Sequence, residues 1–321
     1  MSGPSDRQWL ERRSDTVSWA VTVGHVALVL AAVPAAAALG PSPAILALWL
    51  WFGLTMNSLL NLMHESAHRL AFRRRASNDL VGRWILGPLA LADFDAYRQR
   101  HWAHHKNLGL ETDTKDAYLV ELGGSGTVRL LLRCLGLREA GRKLAHQGVA
   151  PAGEEHPVAR GAALARTAVV QAVVAGMALA VAAAAHDGTG AVVTAALVAY
   201  GFVYLYGLAS LTVFAATLRA IAEHQTGADD ALDEGRAALR NFRSGPFSRL
   251  VFGSYGFSDH ATHHRRPSVP HYRLGQVTAA LAADEPALRP ATGYVATLRR
   301  LRREHEWSAS RTGLAPGVRQ T

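Results

Sequence analysis

Four stretches of the chain are apolar on every side, without the polar stripe that a surface helix of a soluble protein carries. Residues 17–39 run 23 positions without a charge. That is longer than the apolar core of a secretory signal and long enough to cross a bilayer as a helix. Pro34 falls inside it and predicts a kink, which a membrane helix tolerates when neighbours satisfy the freed carbonyl. Gly40-Pro41-Ser42-Pro43 predicts a tight turn, and residues 44–63 a second span rich in Trp, Leu and Phe. Residues 167–185 predict a third span and His186-Asp187-Gly188-Thr189-Gly190 a short turn. Residues 191–218 predict a fourth, tilted because its length exceeds a typical hydrocarbon core. The stretch 80–92 is apolar for only 13 residues and is interrupted by Arg83, Gly87 and Pro88. It is too short to cross and predicts an interfacial or re-entrant segment. Residues 1–16, 106–160 and 219–321 are polar in character, with loops expected at 123–126 and 148–157.

Charge turns this pattern into a topology. None of the 34 Lys and Arg residues lies between Ser14 and Met63 or between Thr167 and Leu218. Three precede the first hairpin of spans, 16 lie between the hairpins, and 15 follow the second. Basic residues collect on the cytosolic side of membrane proteins, so both termini, residues 64–166 and residues 219–321 are expected in the cytosol. The net charge of +9 then follows from membrane orientation, and no nucleic-acid partner is needed to explain it. Cys134 is the single cysteine, which excludes an internal disulfide and an iron–sulfur cluster held by four thiolates.

Histidine carries the chemistry. His64-Glu65-Ser66-Ala67-His68, His101-Trp102-Ala103-His104-His105 and His260-Ala261-Thr262-His263-His264 hold 8 of the 15 histidines. Spacings of i, i+4 and i, i+3, i+4 place every imidazole of a cluster on one helix face. Neutral imidazole is the commonest protein metal ligand and suits iron, zinc, copper and nickel. Eight are too many for one ion, so the pattern predicts a two-metal site. All three clusters fall on the same predicted side of the bilayer, near the ends of spans. Glu65, Asp95, Glu223 and Asp259 are the carboxylates placed to orient the rings by accepting their second N–H. His25, His146, His156, His186 and His305 lie outside the clusters and are expected to be structural or surface residues; His271 is nearer but is not expected to be a ligand.

Two other functions share part of this pattern. His64-Glu65-Ser66-Ala67-His68 also reads as the H-E-x-x-H signature of a zinc protease, which would make the chain an intramembrane metalloprotease. That reading leaves five clustered histidines unused. A metal transporter would place its ligands near the bilayer midplane, whereas these stand at span ends among arginines.

The three clusters and the two hairpins resemble the membrane fatty acid desaturase superfamily over roughly residues 45–280. Tyr97 and Arg98 ahead of the second box, Arg219-Ala220-Ile221-Ala222-Glu223-His224 and the stretch Pro267-Ser268-Val269-Pro270-His271-Tyr272-Arg273-Leu274 are also similar to family segments, the second to bacterial members. Three departures stand out. Ser258-Asp259 precede the last box where many members have Tyr, Thr262 stands where Glu is common, and Asp113-Thr114-Lys115-Asp116 replaces an Asp-Pro-Asp run.

The resemblance implies an all-α integral membrane protein, residues 1–321 forming one domain of four transmembrane helices in two hairpins, with a cytosolic helical cap carrying the boxes. It implies two iron ions (Fe2+) and oxygen-dependent desaturation of an acyl chain, or hydroxylation or ketolation of an acyl or terpenoid chain. His64, His68, His101, His104, His105, His260, His263 and His264 are the expected ligands. His224 is expected to be a ninth, because a fourth span continuing past Leu218 brings it about 9 Å beyond the membrane end. The expected partners are a ferredoxin- or cytochrome-type electron donor, an acyl substrate on lipid, coenzyme A or acyl carrier protein, and membrane lipid. The expected location is the bacterial cytoplasmic membrane.

Overall fold

The computed structural model describes residues 13–108, 110, 113, 126–147, 157–225, 238–290 and 292–312. Among them every regular element is helical, apart from one isolated bridge between Phe242 and Thr292. The apolar stretches form four helices long and apolar enough to cross a bilayer: Asp15–Leu39, Ala44–Ala67, Gly161–Ala185 and Thr189–His224. Leu164, Val173 and Leu197 on these helices are 71, 67 and 64% exposed. Apolar surface on that scale belongs against lipid, and the chain is an all-α membrane protein. The second and fourth helices run past their apolar parts to Ala67 and His224, as the positions of the first box and of His224 predict. Of the loops expected at 123–126 and 148–157, residues 123–125 and 148–156 lie outside the described residues, as do Thr114 to Asp116 and the side chains of His146, His156 and His305, while Gly126 and Pro157 begin helices.

The described residues group into two units. One comprises Arg12–Gln99 and Glu139–Val213, the other the described parts of Arg100–Arg138 and Phe214–Thr321. The helices Phe94–Asn107 and Thr189–His224 contribute to both.

In the first unit, which holds the spans, the helix of span 1 starts at Asp15, where the Ser14 hydroxyl accepts from the Val17 N–H. It breaks at Ala31, as Pro34 predicts, because a proline ring crowds the carbonyl four residues earlier, here that of Leu30. The two hairpin turns meet. Gly40 and Gly188 take positive φ, and the His186 ring nitrogen lies 2.9 Å from the Ala37 carbonyl. His25 likewise reaches the Thr55 carbonyl at 2.9 Å, tying span 1 to span 2. Both histidines are structural, as expected. Spans 2 and 4 approach closely at Gly53, where an added Cβ would sit 2.4 Å from the Leu211 side chain, and at Gly207, where it would meet Phe52 at 2.9 Å. Small residues at such crossings let helix backbones pack in lipid. Span 4 widens here into π-helical turns over Val198–Tyr206 and Leu208–Thr212.

The short apolar stretch is helical too. Residues 75–89 run as Arg75–Val81, a π-helical Gly82–Leu86, and Gly87–Leu89. The wider turn directly precedes Pro88, where an α-helix could not keep its regular bond. At its end the helix leaves carbonyls that must find donors in an apolar setting. Gln171 of span 3 donates to the Pro88 carbonyl at 2.8 Å, and the Tyr204 hydroxyl of span 4 donates to the Leu89 carbonyl at 2.8 Å. Gln171 also donates to Tyr204 at 2.9 Å and accepts from the Tyr200 hydroxyl at 3.0 Å. One buried glutamine thus serves a helix end and two tyrosines.

The second unit holds a core of Ala261, Val269, Leu274, Val277, Leu281 and Leu288 beneath the third box. Asn241 stitches it. Its amide nitrogen donates to the Thr262 hydroxyl at 2.8 Å and to the Leu288 carbonyl at 2.7 Å, and its oxygen accepts from the Thr262 N–H at 3.1 Å. Tyr294 stacks on Phe242 with ring centres 3.8 Å apart, and its hydroxyl donates to the Phe257 carbonyl at 2.7 Å.

Gln171→Met is expected to destabilise the folded protein by about 1–3 kcal/mol, since it removes the bonds to the Pro88 carbonyl, Tyr204 and Tyr200, leaving the Leu91 N–H on that carbonyl, while keeping the side-chain volume. Thermal melting in detergent, with Gln171→Glu as a second variant, measures it. A melting temperature unchanged from wild type contradicts the role given to this side chain.

Candidate metal centre

Helix geometry converts spacing into convergence. His101, His104 and His105 stand on the helix Phe94–Asn107, and His260, His263 and His264 on the short helix His260–Arg265. In the second unit these two faces meet. His105 Nε2 lies 3.0 Å from His101 Nε2 and 3.3 Å from His263 Nε2. His104, His224 and His264 form a neighbouring group whose nitrogens all lie within 4.8 Å of one another. Glu223, His224 and His260 form another with the same limit, and His260 Nε2 is 2.9 Å from His224 Nε2. His224 is the residue shared by the last two groups. In the first unit, His64 and His68 bring one nitrogen each within 4.8 Å, with ring centres 4.6 Å apart. His271 stands apart from these groups, edge-on to Tyr255 at 5.2 Å.

These spacings suit a cation. With metal–nitrogen bonds of about 2.1 Å, two ligand nitrogens at 90° to 109° stand roughly 3.0–3.4 Å apart. Hydrogen bonding explains the cluster less well. A neutral imidazole has one donor and one acceptor nitrogen, and Nε2 of His105 faces two other nitrogens at once. Nε2 of His264 is buried with no hydrogen-bond partner among the described residues. Burial, and then the neighbouring His260, His105, His224 and His104, hold the His264 imidazole well below its ordinary pKa. It is therefore neutral at physiological pH and offers a lone pair.

Carboxylates support the rings. His104 Nδ1 donates to Asp113, whose two oxygens lie at 2.8 and 3.0 Å, and this leaves Nε2 of His104 to face His224 and His264. Such a bond fixes the tautomer and raises the ligand strength of the ring. Glu223 sits 3.7 Å from His260 Nε2 and 3.5 Å from the Arg219 guanidinium, which itself lies over the Phe257 ring at 4.3 Å. Of the four carboxylates read from sequence as ring partners, Glu223 falls in a group with His224 and His260 whose ligand atoms lie within 4.8 Å, and so is positioned as a ligand. Glu65 is 3.9 Å from His64 Nδ1, beyond hydrogen-bond range. Asp95 pairs with Arg83 at 2.7 Å and Arg98 at 3.7 Å. Asp259 accepts from the Thr278 hydroxyl at 2.6 Å, and burial pushes its carboxyl above the ordinary range against that bond and Arg249. Thr262, in the place where the family often has Glu, is a framework residue bonded to Asn241 and Thr278.

Asp113 is the residue the sequence reading did not single out as a ring partner. The only signal was an acid nine positions after His104, in a run already noted for its departure from the family.

The sequence profile of the fatty acid desaturase family matches residues 41–295, which take in all three boxes and His224. No curated protein matches the chain.

Asp113→Asn is expected to weaken metal retention by roughly 10–100-fold, the usual cost of removing such an outer carboxylate. Chelator titration followed by elemental analysis measures it; retention equal to wild type means that Asp113 does not orient a ligand.

Proposed function

The chain belongs to the fatty acid desaturase family and is a membrane oxidoreductase of the desaturase and hydroxylase type; on that premise we propose that it desaturates an acyl chain using two iron ions, molecular oxygen and electrons from a separate donor. The observation that carries this reading is the convergence of His101, His104, His105, His224, His260, His263 and His264 at ligand spacing. His64 and His68 complete the proposed ligand set of nine. Nine imidazoles divide as five and four between two ions and leave room for exchangeable ligands.

When bound, such an iron pair supplies oxygen activation strong enough to take hydrogen from an unactivated C–H bond. The protein's own groups do the rest. The neutral imidazoles hold the ions without adding negative charge. Asp113 fixes the His104 ring, and Arg219 holds Glu223 beside His260. The apolar spans favour a lipid-like chain as substrate, carried on lipid, coenzyme A or an acyl carrier protein. The 31 basic residues of segments 64–166 and 219–321 suit an acidic donor, of ferredoxin or cytochrome type, by electrostatic steering. By the positive-inside rule both termini and the boxes face the cytosol of a bacterial cell.

Product analysis with a chain deuterated at the attacked carbons tests the reaction. A product lacking two hydrogens and carrying no new oxygen is expected; one that gains oxygen and keeps all but one hydrogen makes the chain a hydroxylase. His224→Ala is expected to lose iron and turnover as completely as His263→Ala, whereas His186→Ala keeps its iron. Elemental analysis of the three variants in detergent decides whether His224 is a ligand.

A further inference from the structure

The helix 75–89 belongs to no histidine box, yet its charged side chains reach the residues beside two of them. Asp79 lies in its first part. The Arg69 guanidinium meets the Asp79 carboxylate at both oxygens, Nε to Oδ1 and Nη2 to Oδ2, each at 3.5 Å. The Arg98 guanidinium donates to Oδ1 of the same carboxylate through Nη2. Arg69 is the residue directly after His68, and Arg98 stands three residues before His101 in the helix that carries the second box. One carboxylate therefore joins the exit of the first box to the entry of the second.

Both attachment points are constrained. Arg69 adopts a positive φ of 59°, a conformation a non-glycine residue holds only when its surroundings enforce it. The helix of span 2 closes there, with Arg69 N–H on the Ser66 carbonyl and Leu70 N–H on the Glu65 carbonyl, both at 3.0 Å. The Arg98 side chain is largely buried, lies over the Phe94 ring at 4.6 Å and touches Asp95 at 3.7 Å. Asp95 in turn holds Arg83, one turn beyond Asp79 on the same helix, at 2.7 Å. Phe94 packs against Gly82, where an added Cβ would lie 2.2 Å from the ring. The helix 75–89 thus grips the start of the second-box helix by two ion pairs and a close aromatic contact, and grips the end of the first box by one. Burial alone would push the Asp79 carboxyl up, but the Arg98 and Arg69 guanidiniums outweigh it and hold it below the ordinary carboxylate range. The bridge stays charged through neutral and mildly acid pH.

We propose that Asp79 is a positioning residue for the metal centre, setting the exit of the first box through Arg69 and the entry of the second through Arg98. It acts through these two arginines. The inference rests on the boxes being metal ligands, and its test contains a readout that needs no metal.

The variants are Asp79→Asn, Asp79→Glu and Gln171→Met in the full-length protein in detergent. Asp79→Asn is expected to release iron to a chelator at least tenfold faster than wild type and to alter the Mössbauer spectrum of the iron that remains; Asp79→Glu restores most of both. Gln171→Met melts earlier and keeps wild-type iron release, which separates positioning from general stability. Hydrogen–deuterium exchange is expected to rise in Asp79→Asn over residues 66–71 and 96–101 alone. Iron release and exchange in Asp79→Asn equal to wild type would overturn the proposal. If Asp79→Asn fails to fold, Arg69→Gln and Arg98→Gln replace it, each expected to raise exchange on its own side of the bridge; no rise in either is the overturning result. A wild-type protein without iron sinks the proposed function, and the exchange pattern still decides whether Asp79 bridges the two segments.

Discussion

Imidazole nitrogens held 2.9–3.3 Å apart in a buried cluster stand at the spacing of ligands around a shared cation, and Nε2 of His105 faces two of them at once. Burial works in the same direction. It removes water as an alternative partner and keeps the rings uncharged, as at His264. The remainder of the histidine-rich unit makes sense as the frame for this crowding. Two short runs of helix present three rings each, Asp113 fixes one tautomer, and Arg219 and Glu223 fill the edge beside His260. Asn241, Thr262 and Thr278 lock the backbone of the third box to its own core.

The membrane-spanning unit solves a different problem with a similar device. Its backbone cannot leave carbonyls unsatisfied in an apolar setting. Where the helix 75–89 ends at Pro88 and Leu89, Gln171 and Tyr204 supply the donors. A polar group buried inside a span is here the partner of a neighbouring helix end. The same helix carries Asp79 and Arg83 nearer its start, so one end is held by neutral hydrogen bonds and the other by ion pairs.

The spans were readable because lipid demands apolar residues on every side, a pattern few other environments produce. Their polar ends were less so. Hydropathy stops at Met63 and Leu218, while the helices continue to Ala67 and His224, because the box residues keep helical spacing after the hydrophobicity has gone. His224 could be proposed from that continuation and from the family segment around it. The stretch 80–92 looked like a broken apolar run because Arg83, Gly87 and Pro88 interrupt it; a π-helical turn over Gly82–Leu86 absorbs the interruption. Asp113 and Asp79 were not legible. Each acts on a partner 9 to 19 positions away, across a change of direction that local pattern does not encode.

The π-helical turns of span 4 have a consequence for how its sequence can change. An α-helix advances 100° per residue, so each extra residue housed in a wide turn rotates everything after it relative to everything before. Residues 198–206 and 208–212 stand upstream of Glu223 and His224 in one continuous helix. Loss of a single residue there would leave the span long enough to cross the bilayer and apolar enough to stay in it. The terminal glutamate and histidine would nonetheless swing about a quarter turn around the helix axis. In this stretch an insertion or deletion is felt as an angle, and the length of span 4 is a far looser constraint than its phase.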